Sequence, residues 1–475
     1  MDTSQVKIDV HTIIIGAGPA GLAAAYALTK QGITPTIIEK DKTAGGLMRS
    51  IYRGEFIMDI GRKELYTRLN KVDALWKEIL GEDYISYYHR EGILYKRIIF
   101  EASSRWEGVT RGMSWSMALI CGIDYCWCRL KSMFDSPSNY EDYWYGKRGK
   151  LLSRILSQRY EEKFKGINWR DLPVPSTTDE EITSTSNNIS DPLLDQHLKE
   201  RTEPIWCHPA RGSGQICEML EKSIHAAGAA FNFGANILAI TTSGQRIETI
   251  TIAVDSDVIT YRPQHVVSSV SAEIMANMLN YGHSEKVGSE QKPSKLSGKV
   301  MSTICVYLFL SDPPSFPHTW LKITSPELKA GRITNFSAFN GRMVPKDMTC
   351  LCVEYFCSEV DPLLTLTDDA LKEYAIAECV SSNLINRDKC FDHFVLKLPD
   401  SKAAINWRDW DDPKQIQLLS FLTSFDNLYY VNRPGTDKAT NAGLEAASAI
   451  IANDRDIFFN EMAMSIPCWN KVGVV

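Results

Sequence analysis

Residues 12–21 run from the apolar tract Thr12-Ile13-Ile14-Ile15 into Gly16-Ala17-Gly18-Pro19-Ala20-Gly21, and a small-residue stretch follows to 28. That order predicts a strand, a glycine turn and a helix start. Each glycine answers its own demand: a tight turn at Gly16, close backbone approach to a pyrophosphate at Gly18, and close helix-on-strand packing at Gly21. A helix opening there aims unpaired N–H groups and its positive dipole end at phosphates. Residues 33–39 predict a second parallel strand, apolar because both faces are covered, and it ends in Glu39, 18 residues after Gly21. Glu39 is placed to accept from ribose hydroxyls, with Lys40 beside it. The alternative is a glycine-rich turn in a nucleotide-free sheet with Glu39 solvated, and the order of strand, triad, helix and acid favours the dinucleotide clamp.

Both NAD and FAD use such a clamp, so a further feature must separate them. Gly45-Gly46-Leu47-Met48-Arg49-Ser50 follows the acid by a few residues, and Met58-Asp59-Ile60-Gly61-Arg62 follows that. The first resembles the second glycine pair of the flavin-dependent amine oxidase superfamily, and the second resembles the turn that meets the isoalloxazine ring there. Two later blocks agree. Residues 212–269 predict a helix, a strand, a hairpin and a strand returning to the first sheet, with Ile237 at the position that holds the adenine in that superfamily and Ser269 at the end of the returning strand. Residues 427–435 predict a strand and turn containing Asn432, and Thr440-Asn441-Ala442-Gly443 a small-residue helix start, a second anion site.

The chain is similar, within the superfamily, to the branch of protoporphyrinogen oxidase and UDP-galactopyranose mutase. The resemblance implies an α/β fold in which a discontinuous, Rossmann-like FAD-binding domain carries an inserted α+β substrate domain of mostly antiparallel sheet plus helices. It implies non-covalent FAD, since no matching cysteine or histidine tether is present. Asn432 stands where many relatives have glycine, and Gly61-Arg62-Lys63 where the mutases carry Gly-Gly-His.

A chain of 475 residues exceeds one ordinary core. We assign 1–68, 205–290 and 410–460 to the cofactor domain, 69–204 and 291–409 to the substrate domain, and 461–475 to a tail. Near-continuous apolar runs at 300–310 and 349–357 predict antiparallel strands with one covered face. Helices are expected at 69–80, 151–164, 217–227 and 368–386, and a hairpin turning at Glu91-Gly92 within 84–100. Residues 173–190 have the composition of a lid or linker.

A net charge of -6 gives no footprint for nucleic acid. The scattered cysteines, without CxxC pairs or a leader, read as reduced thiols and a cytoplasmic location. Cys121, Cys126 and Cys128 lack a nearby histidine, so no metal site is expected. The apolar run 113–128 is too short to span a bilayer. It is expected to be buried, with contact at a membrane surface as the alternative.

For chemistry, Arg62 is the candidate for stabilising charge on the reduced ring. Lys299, opening an apolar strand, and Glu354, a potential base, complete the catalytic set. Lys63, Tyr143, Arg211 and Arg332 are candidate contacts to a small-molecule substrate. The expected activity is FAD-dependent removal of a hydride from a C–N or C–C bond in biosynthesis. The alternatives are a non-redox mutase acting on a nucleotide sugar through reduced N5, and a catalytically silent flavoprotein scaffold. Oligomeric state is left open.

Overall fold

The computed structural model describes residues 7–87, 89–101, 112–175, 206–281, 301–339, 342–402 and 413–465. Lys299 and the segment 176–190 of the expected lid lie outside the described residues. The strand Lys7–Ile15 pairs in parallel with Thr36–Glu39 on one side and Asp257–Ser268 on the other. Ala230–Phe233 extends the first edge, Leu428–Tyr430 joins Asp257–Ser268 in parallel, and the antiparallel strands Arg246–Val254 and Asn236–Ser243 close the other edge. Ile13, Ile14, Ile37, Val266 and Val267 are wholly buried. Coverage of both faces explains why these segments read as unbroken apolar runs.

Helix Pro19–Thr29 packs against the C-terminal helix Thr436–Ala452. A Cβ at Gly443 would lie 2.1 Å from the Ala20 carbonyl oxygen, so only glycine lets the two backbones touch. The sheet is therefore assembled from three distant stretches of chain.

A second seven-stranded sheet runs in the order Cys390–Lys402, Met301–Leu310, Thr349–Ser358, Arg332–Asn335, Trp320–Ile323, Glu91–Tyr95, Ile98–Glu101. All its pairings are antiparallel except that of Trp320–Ile323 with Glu91–Tyr95. Helix Asp368–Ser381 covers one face, burying Leu371, Ala375 and Ile376. This sheet and its helix form the inserted α+β unit.

Four expectations need correction. The hairpin in 84–100 turns at Lys96-Arg97, not at Glu91-Gly92. Gly92 sits within a strand, where a Cβ would come 2.5 Å from the Leu321 side chain, so it is a packing glycine and not a turn glycine. The segment Tyr84–Tyr87 instead pairs with Trp206–Pro209. The helix expected over 151–164 is interrupted by a π turn at Arg154–Gln158. The helix Asn70–Leu80, assigned to the substrate domain, buries Val72, Leu75, Trp76 and Ile79 in the core of the first sheet, because its apolar stripe faces the helices Gly214–Ala226 and Thr436–Ala452. Lastly, the apolar run 113–128 lies on the surface. It forms the helix Trp115–Ser132, of which Cys121 alone is buried.

Candidate cofactor cleft and polar cluster

The glycine turn follows Ile15 directly. Gly16 has φ +98°, and a Cβ there would strike Ser269 Oγ at 2.2 Å. At Gly21 a Cβ would lie 1.9 Å from the Gly16 carbonyl oxygen, which is the helix-on-strand contact expected of it. Gly18 differs: a Cβ there meets nothing within 4 Å. It faces open space, at the N-cap of a helix whose first position is Pro19. That is the geometry of an anion cradle, and a phosphate fits it.

Glu39 is buried, and its carboxylate accepts from Ala17 N (2.7 Å) and Asp41 N (2.9 Å). It therefore ties the glycine turn to the end of its own strand. Lys40 is exposed. Ala235 N donates to the Glu39 carbonyl (2.9 Å), and this brings the strand containing Ile237 to the acid's side of the cleft.

The loop Gly45-Gly46 runs beside the turn. Both glycines have positive φ, +104° and +53°, and Gly45 N donates to Ala17 O (2.8 Å). Leu47 is half exposed at the rim, whereas Arg49 pairs with Asp41 (2.9 Å). Across the cleft, Ser269 N donates to Ile15 O (2.9 Å) and Asn432 Nδ2 to Ser269 O (3.0 Å). The C-terminal helix begins at Thr436, capped by Gly435 at φ +91°, one turn earlier than expected. Ala439 N already donates to the Gly435 carbonyl (3.0 Å), so the N–H groups without a partner inside the helix lie at 436–438, and Thr440, which donates to the Thr436 carbonyl (2.7 Å), and Ala442 are interior helix residues. Asn441 lies between them, partly buried.

A network around Asp59 holds these loops together. Asp59 accepts from Ser50 Oγ (2.7 Å) and Ser213 N (2.8 Å), and His208 Nε2 lies 2.8 Å from its other oxygen. Tyr307 OH donates to the Asp59 carbonyl (2.8 Å), and Gly61 N donates to Tyr307 OH (3.3 Å). The Gly61 turn is thus pinned to the substrate sheet, where a Cβ on Gly61 would meet the Glu354 carboxylate at 2.8 Å.

Beyond Gly61 the charges concentrate. The Arg62 guanidinium lies 4.1 Å over the Trp320 ring and pairs with Glu64. Its Nε is buried with no partner among the described residues, a donor left for a bound group. Burial alone raises the Glu64 carboxyl, yet Arg62, His89 and Tyr87 outweigh that and hold it down to about 2. Glu64 accepts from Tyr87 OH (2.7 Å) and lies 2.9 Å from His89 Nδ1. His89 stacks on Trp206 at 4.1 Å, and Tyr66 stacks on the same indole at 4.6 Å. Burial pulls the Lys63 ammonium below the usual lysine range, opposed mainly by Glu354.

Glu354 is buried and gripped by Arg332 through two bonds of 2.7 Å and 2.6 Å, and it also accepts from Arg62 N (3.2 Å). A carboxylate so held is an anchor for its neighbours rather than an available base. Arg332 is spent on the same pair. Tyr143 contacts Trp144 and Lys147, and Arg211 is exposed beside the loop that packs on Asp59. Sequence reading missed Glu64, Tyr66, Tyr87, His89, Trp206 and Trp320. The only signal for them was aromatic density at 84–89 and 206–208.

The family description matching residues 14–79 is that of an NAD(P)-binding Rossmann-like domain. All-trans-zeta-carotene desaturase of Myxococcus xanthus is 44% identical over 54 residues, 11% of this chain and 10% of that one. Protoporphyrinogen oxidase 2 of Arabidopsis thaliana is 35% identical over 66 residues, 14% of this chain and 13% of the other. The chain thus matches only about a tenth of these relatives' length. Among solved structures, reduced UDP-galactopyranose mutase superimposes with TM-score 0.75 at 17% identity, covering 98% of both chains. Putrescine oxidase bound to putrescine does so with TM-score 0.60 at 13% identity, covering 94% of this chain and 100% of the other.

The fold is the one shared by reduced UDP-galactopyranose mutase and putrescine oxidase. Close contacts join the glycine turn, the Gly45-Gly46 loop and the C-terminal helix, and the Gly61 turn leads from the Asp59 network to the Arg62 cluster. All the described cysteines are free thiols, and no helix among the described residues is long and apolar enough to cross a membrane.

Proposed function

We propose that the chain is an FAD-dependent oxidoreductase that binds its cofactor non-covalently and takes a hydride from a C–N or C–C bond of a small-molecule substrate. The observation carrying this reading is Arg62. It follows the Gly61 turn, stacks on Trp320 and keeps a buried Nε without a partner among the described residues. The superfamily fold supports FAD over NAD, and a cytoplasmic location rests on the free cysteines.

In this reading the Gly16–Gly21 turn and its helix hold the pyrophosphate, with Pro19 and Ala20 forming the wall. Glu39 and Lys40 face the ribose, Ile237 lies on the same side, and Ser269 and Asn432 line the opposite side. The first-turn N–H groups of 436–438 face the phosphates. Bound FAD supplies the hydride acceptor, which no side chain offers. Arg62, held in place by Glu64 and Trp320, would supply fixed positive charge beside a bound flavin ring. Lys63, neutral over more of the pH range than an ordinary lysine, accepts a proton. His89, held by Glu64 and Trp206, orients substrate beside the aromatic wall of Tyr66, Trp206 and Trp320. Glu354 and Arg332 keep the Arg62 turn rigid. The domain boundaries are proposed as above, with 70–80 moved to the cofactor domain.

The test is purification and anaerobic titration. A yellow protein that releases FAD on heating, and whose oxidised flavin band bleaches with substrate, is the expected result. A colourless protein that refuses added FAD defeats the reading. A mutase would instead require pre-reduced flavin and give no net bleaching.

A further inference from the structure

The helix Trp115–Ser132 has one buried side and one that nothing covers among the described residues. Inward, Met117 and Cys121 pack against Ile93, Phe100 and Ile155. Outward lie Trp115 (94% exposed), Leu119 (65%), Ile123 (62%), Trp127 (68%) and, in the turn that continues the helix, Phe134 (79%). These positions recur every three or four residues or their multiples, so they form one stripe about 28 Å long. A stripe of this length exposed to water carries a standing free-energy cost that a partner removes.

Charge identifies the partner. The one acid of this helix, Asp124, is turned inward and accepts from Leu151 N (2.8 Å). Arg129 and Lys131 are exposed, and at about 100° per residue they fall on the two borders of the stripe. Exposed Lys147 and partly buried Lys150 follow on the neighbouring elements. Exposed Asp135 and Asp142 stand beyond the stripe's end, so its two borders are cationic in a chain of net charge -6. An apolar face bordered by cations, with indoles at Trp115 and Trp127, fits the interface of an anionic bilayer. A second copy would bring the same positive borders.

We infer that this helix docks the protein on an anionic membrane surface, lying in the plane of the headgroups. Because it packs on the Glu91–Tyr95 and Ile98–Glu101 hairpin, docking presents the edge of the substrate sheet to the bilayer.

The experiment is co-sedimentation of the full chain with vesicles of phosphatidylcholine alone or mixed with phosphatidylserine. The mixed vesicles should bind the protein, less so at high salt. Ile123→Glu and Trp127→Ala, both at exposed sites, should each weaken that binding at least tenfold while leaving the circular dichroism melt unchanged. No sedimentation with mixed vesicles, or equal sedimentation with phosphatidylcholine alone, overturns the inference. So does binding that both variants retain. A dimer that both variants split, without vesicle binding, assigns the stripe to a second copy instead.

Discussion

Replacing Glu354 with glutamine keeps the side chain's shape and removes its charge. In the native protein the carboxylate and the Arg332 guanidinium are nearly out of water, with side chains 3% and 15% exposed, and they are joined by two short bonds. Removing one partner of a buried pair typically costs 3–5 kcal/mol, since the remaining charge stays desolvated. The residual exposure of Arg332 places the cost at the lower end, about 3 kcal/mol, a factor of roughly 150 in the folding equilibrium. Replacing both residues, as Arg332→Met with Glu354→Leu, leaves no orphan charge, so the double variant should be more stable than Glu354→Gln. Equilibrium urea unfolding, followed by fluorescence and circular dichroism together, measures both. Because Arg62 N also donates to Glu354, Glu354→Gln should further slow substrate-dependent flavin reduction with little change in FAD content. A Glu354→Gln variant less than 1 kcal/mol below wild type, or a double variant as unstable as the single, would refute the argument, since the pair would not be an orphan-charge trap.

Four further outcomes are expected. The depressed Glu64 carboxyl contributes stability that is complete above the unfolded carboxylate pKa and is lost as pH falls through about 2. Acid unfolding of Glu64→Gln should therefore be shallower than wild type between about pH 4.5 and 2; parallel curves would contradict this. Glu39→Ala orphans the N–H groups of Ala17 and Asp41 and should weaken FAD binding at least tenfold, about 1.4 kcal/mol or more, with equal affinity by fluorescence titration as the refuting result. Gly21→Ala forces a methyl against the Gly16 carbonyl and should cost about 3 kcal/mol and most of the bound flavin; a normal melt with full flavin content would sink it. Lys63→Met should remove an ascending limb in the pH profile of flavin reduction, where the rate rises as the ammonium loses its proton, placed below the ordinary lysine pKa because burial lowers it; an unchanged profile would assign that limb elsewhere.

The cofactor half of the fold was legible because its signals are local. Strand, triad, helix and Glu39 lie within 28 residues, and each glycine's demand can be stated without knowing the rest of the chain. The polar cluster was not legible, because Glu64, His89, Trp206 and Trp320 meet only after two sheets assemble. Nothing in their spacing predicts that stacking. The helix expected to begin at Thr440 begins at Thr436 because Gly435 takes a left-handed conformation, which composition favours but does not place. Burial of 113–128 failed for a different reason: average apolarity was read and the direction of the side chains was not. Cys121 points in while Ile123 and Trp127 point out.

The contact between Gly443 and Ala20 has a consequence for synthesis. Helix Pro19–Thr29 leaves the ribosome early, but the helix that covers its buried face is made hundreds of residues later. Until then Ala20, Ala24 and their neighbours have no permanent cover, and the cleft lacks its third wall. On the proposed function, flavin loading is then a late event in the life of the nascent chain, and a ribosome stalled before residue 428 is expected to hold a protein that cannot yet retain flavin.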